Sequence, residues 1–270
     1  MKNKSKMNNL SRITFGTWGL PEWKDYSQDY CKELFDFAYR NGIKSFDTAL
    51  VYGGGRMEHF LSYLPKECFI ATKIPAKNKS KEIIDAYDSL WIKKCIDQSR
   101  KRLKRDSLDL VQLHNWDYNW NNYQTLIDLM VNLKDTGLVK NWGISLPFES
   151  PNNHSEILDE PVINFFQVHY NILQQQNKDI IKNLKQKNKK VLLRSVLLHG
   201  FLMGSINPPF CKKYNLEKQN LKKERDRLFL GLNKREILKY CLNNAFLVGA
   251  DSIVLGITKK EHITSLEEYL

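Results

Sequence analysis

An acid and a phenol stand five positions apart in the stretch Ser45-Phe46-Asp47-Thr48-Ala49-Leu50-Val51-Tyr52, and Gly53-Gly54-Gly55 follow at once. A phenol can hand a proton to a carbonyl oxygen, but its free pKa is about 10. A neighbour must lower that value for the group to serve near neutral pH. Lys73 and His114 are the candidates that come next along the chain. A lysine ammonium beside the phenol favours its ionised form, and Asp47 could hold that ammonium by an ion pair. A histidine can hydrogen-bond a carbonyl oxygen and orient it. Such a set polarises a carbonyl and delivers a proton. It contains no hydride source, so a nicotinamide would have to come from a cofactor.

These residues cooperate only if the fold brings them together. Short apolar runs predict strands at 13–15, 45–47, 68–72, 108–113, 140–144, 164–168, 191–195 and 252–255. Between them, helical spacing predicts helices over 27–41, 56–63, 87–104 (with Leu90, Ile92, Ile96 and Leu103 inward), 121–135, 177–188, 233–246 and 260–268, and a weaker one near 154–158. A basic insertion is expected over 205–230, with a charged helix inside it from Lys212 to Arg227. Eight strands alternating with helices specify a single (β/α)8 TIM barrel over 1–270, with a short C-terminal end. A doubly wound sheet would want a glycine-rich phosphate turn after its first strand. Neither Gly16-Thr17-Trp18-Gly19 nor Gly53-Gly54-Gly55 has that pattern, and no Gly-Lys-Ser/Thr occurs.

Barrel active sites lie where strands end. Those positions here are Asp47, Lys73, His114, Ser145, Gln167, Arg194-Ser195 and Gly256. Neighbouring strands lie about 4.8 Å apart, so Asp47, Lys73 and His114 can converge and Tyr52 can fold back over them.

At 42% hydrophobic and 27% charged residues, the composition is that of a globular protein. No run of about 18 apolar residues is present, so no membrane partner is expected. The basic start lacks an apolar stretch of the secretory kind. Cys31, Cys68, Cys95, Cys211 and Cys241 lie far apart and form no C-x-x-C pair, against a disulfide framework or a metal site. A cytoplasmic location fits. The formal charge of +12 is spread over many lysines, which reads as a solvated surface without a nucleic-acid partner. It also permits attraction of phosphorylated ligands into a cleft. Monomer is the default expectation.

The chain resembles the aldo-keto reductase superfamily over nearly its whole length. Phe46-Asp47-Thr48-Ala49 with Tyr52-Gly53, then Gly55-Arg56, Glu58 and Leu61, match the family signature, and Thr72-Lys73 and Leu113-His114-Asn115 complete a tetrad in the family's order. The resemblance implies NADPH bound across the barrel mouth and reduction of a small carbonyl substrate, with Tyr52 as general acid. It implies cofactor contacts from Gly16, Thr17 and Trp18, carboxamide contacts from Ser145 and Gln167, and a pyrophosphate loop at Ser195, Val196, Leu197, Gly200 and Leu202. It places the adenosine end, with the 2′-phosphate, near Gly256, Thr258, Lys259 and His262; Lys260 is a further candidate for that phosphate. Trp18, Trp23, Trp116 and Trp120 are expected to wall the substrate pocket.

Four departures stand out. Arg194 replaces an aromatic that commonly stacks on the nicotinamide, although a guanidinium plane can stack as well. Leu146 stands where the family often has Asn, and Ser265-Leu266 stand where it often has Glu-Asn. The sequence ends at Leu270, before a tail that often shapes the pocket, which implies a more open pocket or a shortened sequence. An anionic or sugar-derived substrate is compatible with the basic balance. Two other functions stay open: a Schiff-base lyase or isomerase using Lys73, and a non-catalytic, cofactor-binding regulatory subunit. His59, His154, His169 and His199 show no partner pattern and are assigned no role.

Overall fold

The computed structural model describes residues 10–23, 26–114, 116–148, 156–204 and 218–270. Eight strands, β1 (Ile13–Gly16), β2 (Ser45–Asp47), β3 (Phe69–Ile74), β4 (Leu110–Leu113), β5 (Trp142–Ser145), β6 (Ile163–His169), β7 (Lys190–Arg194) and β8 (Ser252–Gly256), pair in parallel and close in chain order into a barrel. Each expected strand is present, β2 with its bounds unchanged and the others with ends moved by at most two residues. Lys73 consequently lies inside β3, one residue before its end.

Around the barrel run α1 (Gly19–Trp23), α2 (Gln28–Arg40), α3 (Arg56–Leu61), α4 (Ile83–Ala86), α5 (Ser89–Leu103), α6 (Gln124–Asp135), α7 (Lys178–Gln186), α8 (Lys218–Leu228), α9 (Lys234–Val248) and α10 (Lys260–Thr264). The starts of α2, α5 and α9 follow ordinary capping chemistry. Ser27 accepts from the backbone of Tyr30, Asp88 accepts from Trp91, and Asn233 with Glu236 forms a capping box at α9. The short α4 has too few residues to carry a helical period and is not foreseen in the sequence. Within α5, Ile92, Ile96 and Leu103 are buried, but Leu90 is 81% exposed. Leu90 lies two residues, about 200° of helical rotation, before Ile92 and so points away from the face that Ile92, Ile96 and Leu103 bury. The first part of the basic insertion, with Pro208, Pro209 and Cys211, lies outside the described residues. Cys31, Cys68, Cys95 and Cys241 are buried and, among the described residues, stand outside any disulfide. Among the described residues, no helix is long and apolar enough to cross a membrane.

The barrel interior sets the site. Phe69, Ala71, Leu110, Phe165, Leu192 and Val254 form an apolar cluster inside it, while the larger core cluster packs strands against helices. Side chains alternate between the two sides of a strand. Two residues beyond Ala71 comes Lys73, beyond Leu110 comes Gln112, beyond Phe165 comes Gln167, and beyond Leu192 comes Arg194. The interior thus changes from hydrocarbon to polar groups within one alternation, toward the strands' C-terminal ends.

Gly143 on β5 sits at a register irregularity against β6. A Cβ there would lie 2.7 Å from the Phe165 backbone oxygen and 3.1 Å from Gln112 Cγ. The obstacle is backbone and cannot swing aside. Gly143→Ala is therefore expected to cost about 1–3 kcal/mol of stability, the usual price of overpacking, read as a lower urea midpoint with an unchanged slope.

Candidate active site

Asp47 ends β2 and is fixed from two sides. Its carbonyl oxygen accepts from both the backbone N–H and the hydroxyl of Thr17, each at 3.0 Å. Its carboxylate oxygens are divided: Oδ2 receives Lys73 Nζ at 2.6 Å, and Oδ1 receives the Gln167 amide at 2.7 Å. Lys73 also donates to the Thr48 carbonyl at 2.9 Å and lies 3.5 Å from the Tyr52 hydroxyl. Asp47 and Lys73 are almost fully buried. A buried ammonium is costly unless its protons are placed, and here three oxygens surround it.

Tyr52 opens a tight turn, Tyr52–Gly55, that carries the ring back over the mouth. Gly53, Gly54 and Gly55 have φ of 56°, 65° and 91°, a left-handed run that L side chains rarely adopt. The turn is anchored behind by Glu58 of α3, which is fully buried. One Glu58 oxygen accepts from Thr72 at 2.6 Å, and the other faces Arg102 of α5 at 3.4 Å. Arg102 also donates to the Leu50 carbonyl at 3.4 Å. The sequence motif contains Gly55 and Glu58, but not Arg102, which comes from 44 residues away. His114 follows β4, its ring edge-to-face with Tyr52 at 5.9 Å between centroids.

The electrostatics differ from the sequence expectation in one respect. Burial is the largest influence on Tyr52 and raises its pKa above 10.0, and Asp47 adds to the rise. Lys73 pulls downward through charge and hydrogen bonding, and Arg194 does so through charge, but burial prevails. Tyr52 is therefore a neutral phenol at pH 7. For Lys73, burial acts downward, but Asp47 and Tyr52 together hold its pKa above the ordinary lysine value.

The other expected residues share this end of the barrel. Ser145 Oγ and Gln167 Oε1 are 3.4 Å apart, so these two come together. In the loop after β7, Ser195, Leu198, His199 and Gly200 have φ of 64°, 48°, 54° and 88°. Such curls turn backbone N–H groups toward an anion. Val196 and Leu202 are buried in the core, so only their backbone can meet a ligand. Gly16 is tightly enclosed, since a Cβ would lie 3.1 Å from the Leu255 oxygen. Gly256 ends β8 and is exposed; Lys259 and His262 are exposed beyond it. Thr258 is buried, its N–H directed at His262 Nδ1. Lys260 is paired with Glu33.

The tryptophan wall is not built as expected. Trp116 and Trp120 are 4% and 7% exposed, packed edge-to-face in the core, and Trp120 donates to the Ser80 carbonyl. Their large apolar surface is better hidden than presented to solvent. Trp18 stays half-exposed with its ring against His199. Trp23 ends α1, and its side chain lies outside the described residues. His154 lies outside them as well. His169, given no role from sequence, is fully buried and hydrogen-bonded. Extending the β6 alternation from Phe165 and Gln167 by one step would have placed it inside.

Gly55→Ala tests the anchor behind Tyr52. The new Cβ would lie 2.2 Å from Arg102 Nη1, at a φ of 91°. Arg102 can move, but only by giving up Glu58 and Leu50. The expected result is about 1–3 kcal/mol lost to strain, seen as a lower melting temperature, with Arg102→Ala relieving part of the loss in the double variant.

The sequence profile of the Aldo/keto reductase family matches residues 12–266. Among curated proteins, the chain is 25% identical to the aldo-keto reductase YhdN of Bacillus subtilis, over 78% of this chain and 65% of YhdN. It is 30% identical to a chloroplastic pyridoxal reductase of Arabidopsis thaliana, over 53% of this chain and 44% of that protein. The chain thus spans less than two thirds of the length of these relatives. Among solved structures, the aldo-keto reductase AKR11C1 of Bacillus halodurans, in its holo form, aligns with a TM-score of 0.75 at 21% identity, over 96% of this chain and 86% of that one. An aldo-keto reductase of Klebsiella pneumoniae, in complex with NADP and acetate, aligns with a TM-score of 0.66 at 16% identity, over 96% and 85%. Because the family profile runs from β1 to the end of α10, the chain belongs to the Aldo/keto reductase family.

Proposed function

We propose that this protein is an NADP(H)-dependent oxidoreductase that reduces an aldehyde or ketone to an alcohol, with Tyr52 as the proton donor. The observation that carries this reading is the position of Lys73 Nζ, 2.6 Å from Asp47 and 3.5 Å from the Tyr52 hydroxyl. A neutral phenol with a fixed ammonium behind it can release a proton to a carbonyl oxygen, because the ammonium stabilises the phenolate that forms. Asp47 keeps the ammonium in place, and Thr17 and Gln167 keep Asp47 in place. His114, edge-on to the Tyr52 ring, orients the carbonyl by a hydrogen bond.

The donor set suits a nicotinamide nucleotide. Ser145 and Gln167 offer a hydroxyl and an amide to a carboxamide, the curl at 195–200 offers backbone N–H groups to a pyrophosphate, and Lys259 and His262 suit a 2′-phosphate. When bound, such a cofactor supplies the hydride. A small-molecule carbonyl compound, anionic or sugar-derived, fits the basic surface. Schiff-base chemistry at Lys73 is disfavoured, because a buried ammonium held by Asp47 and Thr48, with a raised pKa, is a poor nucleophile.

Tyr52→Phe tests the reading. Carbonyl reduction is expected to fall by about 10²–10⁴-fold, the usual contribution of a positioned acid, while NADPH titrated against tryptophan fluorescence binds as in the parent. Near-parent turnover of an aldehyde and ketone panel by this variant would refute Tyr52 as the donor. Tight NADPH binding with negligible parent turnover would favour the regulatory role instead. The pH dependence follows from the raised Tyr52 pKa. The protonated form needed for reduction persists through neutral pH and is lost only as pH climbs above 10. The phenolate needed for alcohol oxidation is scarce at pH 7, so oxidation rates should rise with pH through the alkaline range.

A further inference from the structure

The barrel interior holds an amide that the proposed reaction does not use. Gln112 of β4 is fully buried, and neither its Nε2 nor its Oε1 finds a hydrogen-bond partner among the described residues. An amide taken out of water and left unsatisfied is destabilising, and buried polar groups of folded proteins are almost always partnered, by protein or by ordered water.

The neighbouring strands fix where this amide lies. Lys73, Gln112, Gly143 and Phe165 are successive register partners across β3, β4, β5 and β6. Gly143 leaves β5 bare on the interior side. The place of its missing Cβ is 3.1 Å from Gln112 Cγ and 3.0 Å from Phe165 Cβ, so the side chains of β4 and β6 close over β5 from either side. Leu110, one alternation deeper on β4, belongs with Phe165 to the apolar cluster. One alternation toward the mouth from Gln112, Gly143 and Phe165 come His114, Ser145 and Gln167. Gln112 therefore stands at a boundary, with hydrocarbon beneath it and polar groups above it.

Most of those polar groups are already engaged. The Lys73 ammonium is directed at Asp47, Thr48 and Tyr52, and Asp47 Oδ1 receives the Gln167 amide. The Ser145 hydroxyl and Gln167 Oε1 share only a long contact of 3.4 Å, so both oxygens keep lone pairs to spare. The chemistry of Gln112 narrows the occupant further. Whichever way the amide is turned, one end donates and the other accepts. A cation would fill only Oε1, with the Lys73 ammonium close by, and an anion would fill only Nε2. A group entering through the mouth meets Asp47, Lys73, Ser145 and Gln167 first, and these are themselves almost fully buried. Water both donates and accepts, and a buried polar site with two to four partners is where internal water resides.

We propose that Gln112 holds a resident internal water inside the barrel, between the apolar plug and the level of Ser145 and Gln167, with that pair as its second anchor. The water ties β4 to β6 across the bare stretch of β5 that Gly143 creates. The site is independent of the proposed reaction, since it needs neither a cofactor nor a carbonyl compound.

A high-resolution crystal structure of the parent protein is expected to show a water oxygen within about 3.2 Å of the Gln112 amide and within the same distance of Ser145 Oγ or Gln167 Oε1. A Gln112 amide bonded only to protein groups, or bordered by no water, overturns the proposal. So does a water that reaches neither Ser145 nor Gln167. In solution, oxygen-17 relaxation dispersion counts long-lived waters. A chain of 270 residues is expected to hold about ten of them, so Gln112→Leu should lower the dispersion amplitude by about a tenth. Gln112→Met, which keeps the length of the side chain without its amide, should do the same. Equal amplitudes in the parent and in whichever of these variants folds overturn the proposal, and if neither folds the parent crystal structure decides. Turnover enters none of these measurements, so failure of the proposed reaction and failure of the water site are separately visible.

Discussion

The buried contact between Lys73 and Asp47 is the constraint on which the rest of the site depends. Removing an ammonium and a carboxylate from water costs several kcal/mol for each ion after relaxation, and their attraction recovers this only when the remaining valences are filled. Here Thr48 and Gln167 fill them. A pair of packed hydrocarbons would serve folding about as well. The pair has value because it puts one positive charge in a known place beside a phenol. Thr17, which holds the Asp47 backbone, and the β3 strand, which carries Lys73 up the barrel interior, both serve that placement.

The barrel makes such a placement affordable. Its lower interior is closed by Phe69, Phe165, Leu110 and Leu192, a dry plug that supplies apolar burial. One alternation higher, the same strands present Lys73, Gln112, Gln167 and Arg194. The low dielectric beneath strengthens each polar contact above it. It also explains why the phenol is not simply acidified: burial raises Tyr52 while the cations lower it, and the group stays protonated at neutral pH.

Support for the phenol comes from behind as well as below. Three left-handed glycines make the turn, and the Glu58–Thr72–Arg102 contacts tie it to β3 and α5. Thr72 is the neighbour of Lys73, so the same strand holds the ammonium on one face and the anchor of the phenol on the other. A shift of β3 would move both together, which keeps their separation steady.

Much of this was legible from the order of residues. Eight apolar runs separated by helical spacing specify the barrel, because a strand buried on both faces must be apolar throughout and a crossover helix must be amphipathic. Asp47, Tyr52, Lys73 and His114 could be picked out because strand ends and a glycine turn have local signatures. What local sequence could not contain was the company each residue keeps. That Trp116 and Trp120 pack into the core, that Leu90 faces solvent, and that His169 is buried against Gln174 are matters of which surfaces meet after closure. The sign of the Tyr52 shift belongs with them. Residue types alone determined that a cation would stand near the phenol, but burial is a property of the assembled barrel, and only the tertiary structure decided that it outweighs the cation.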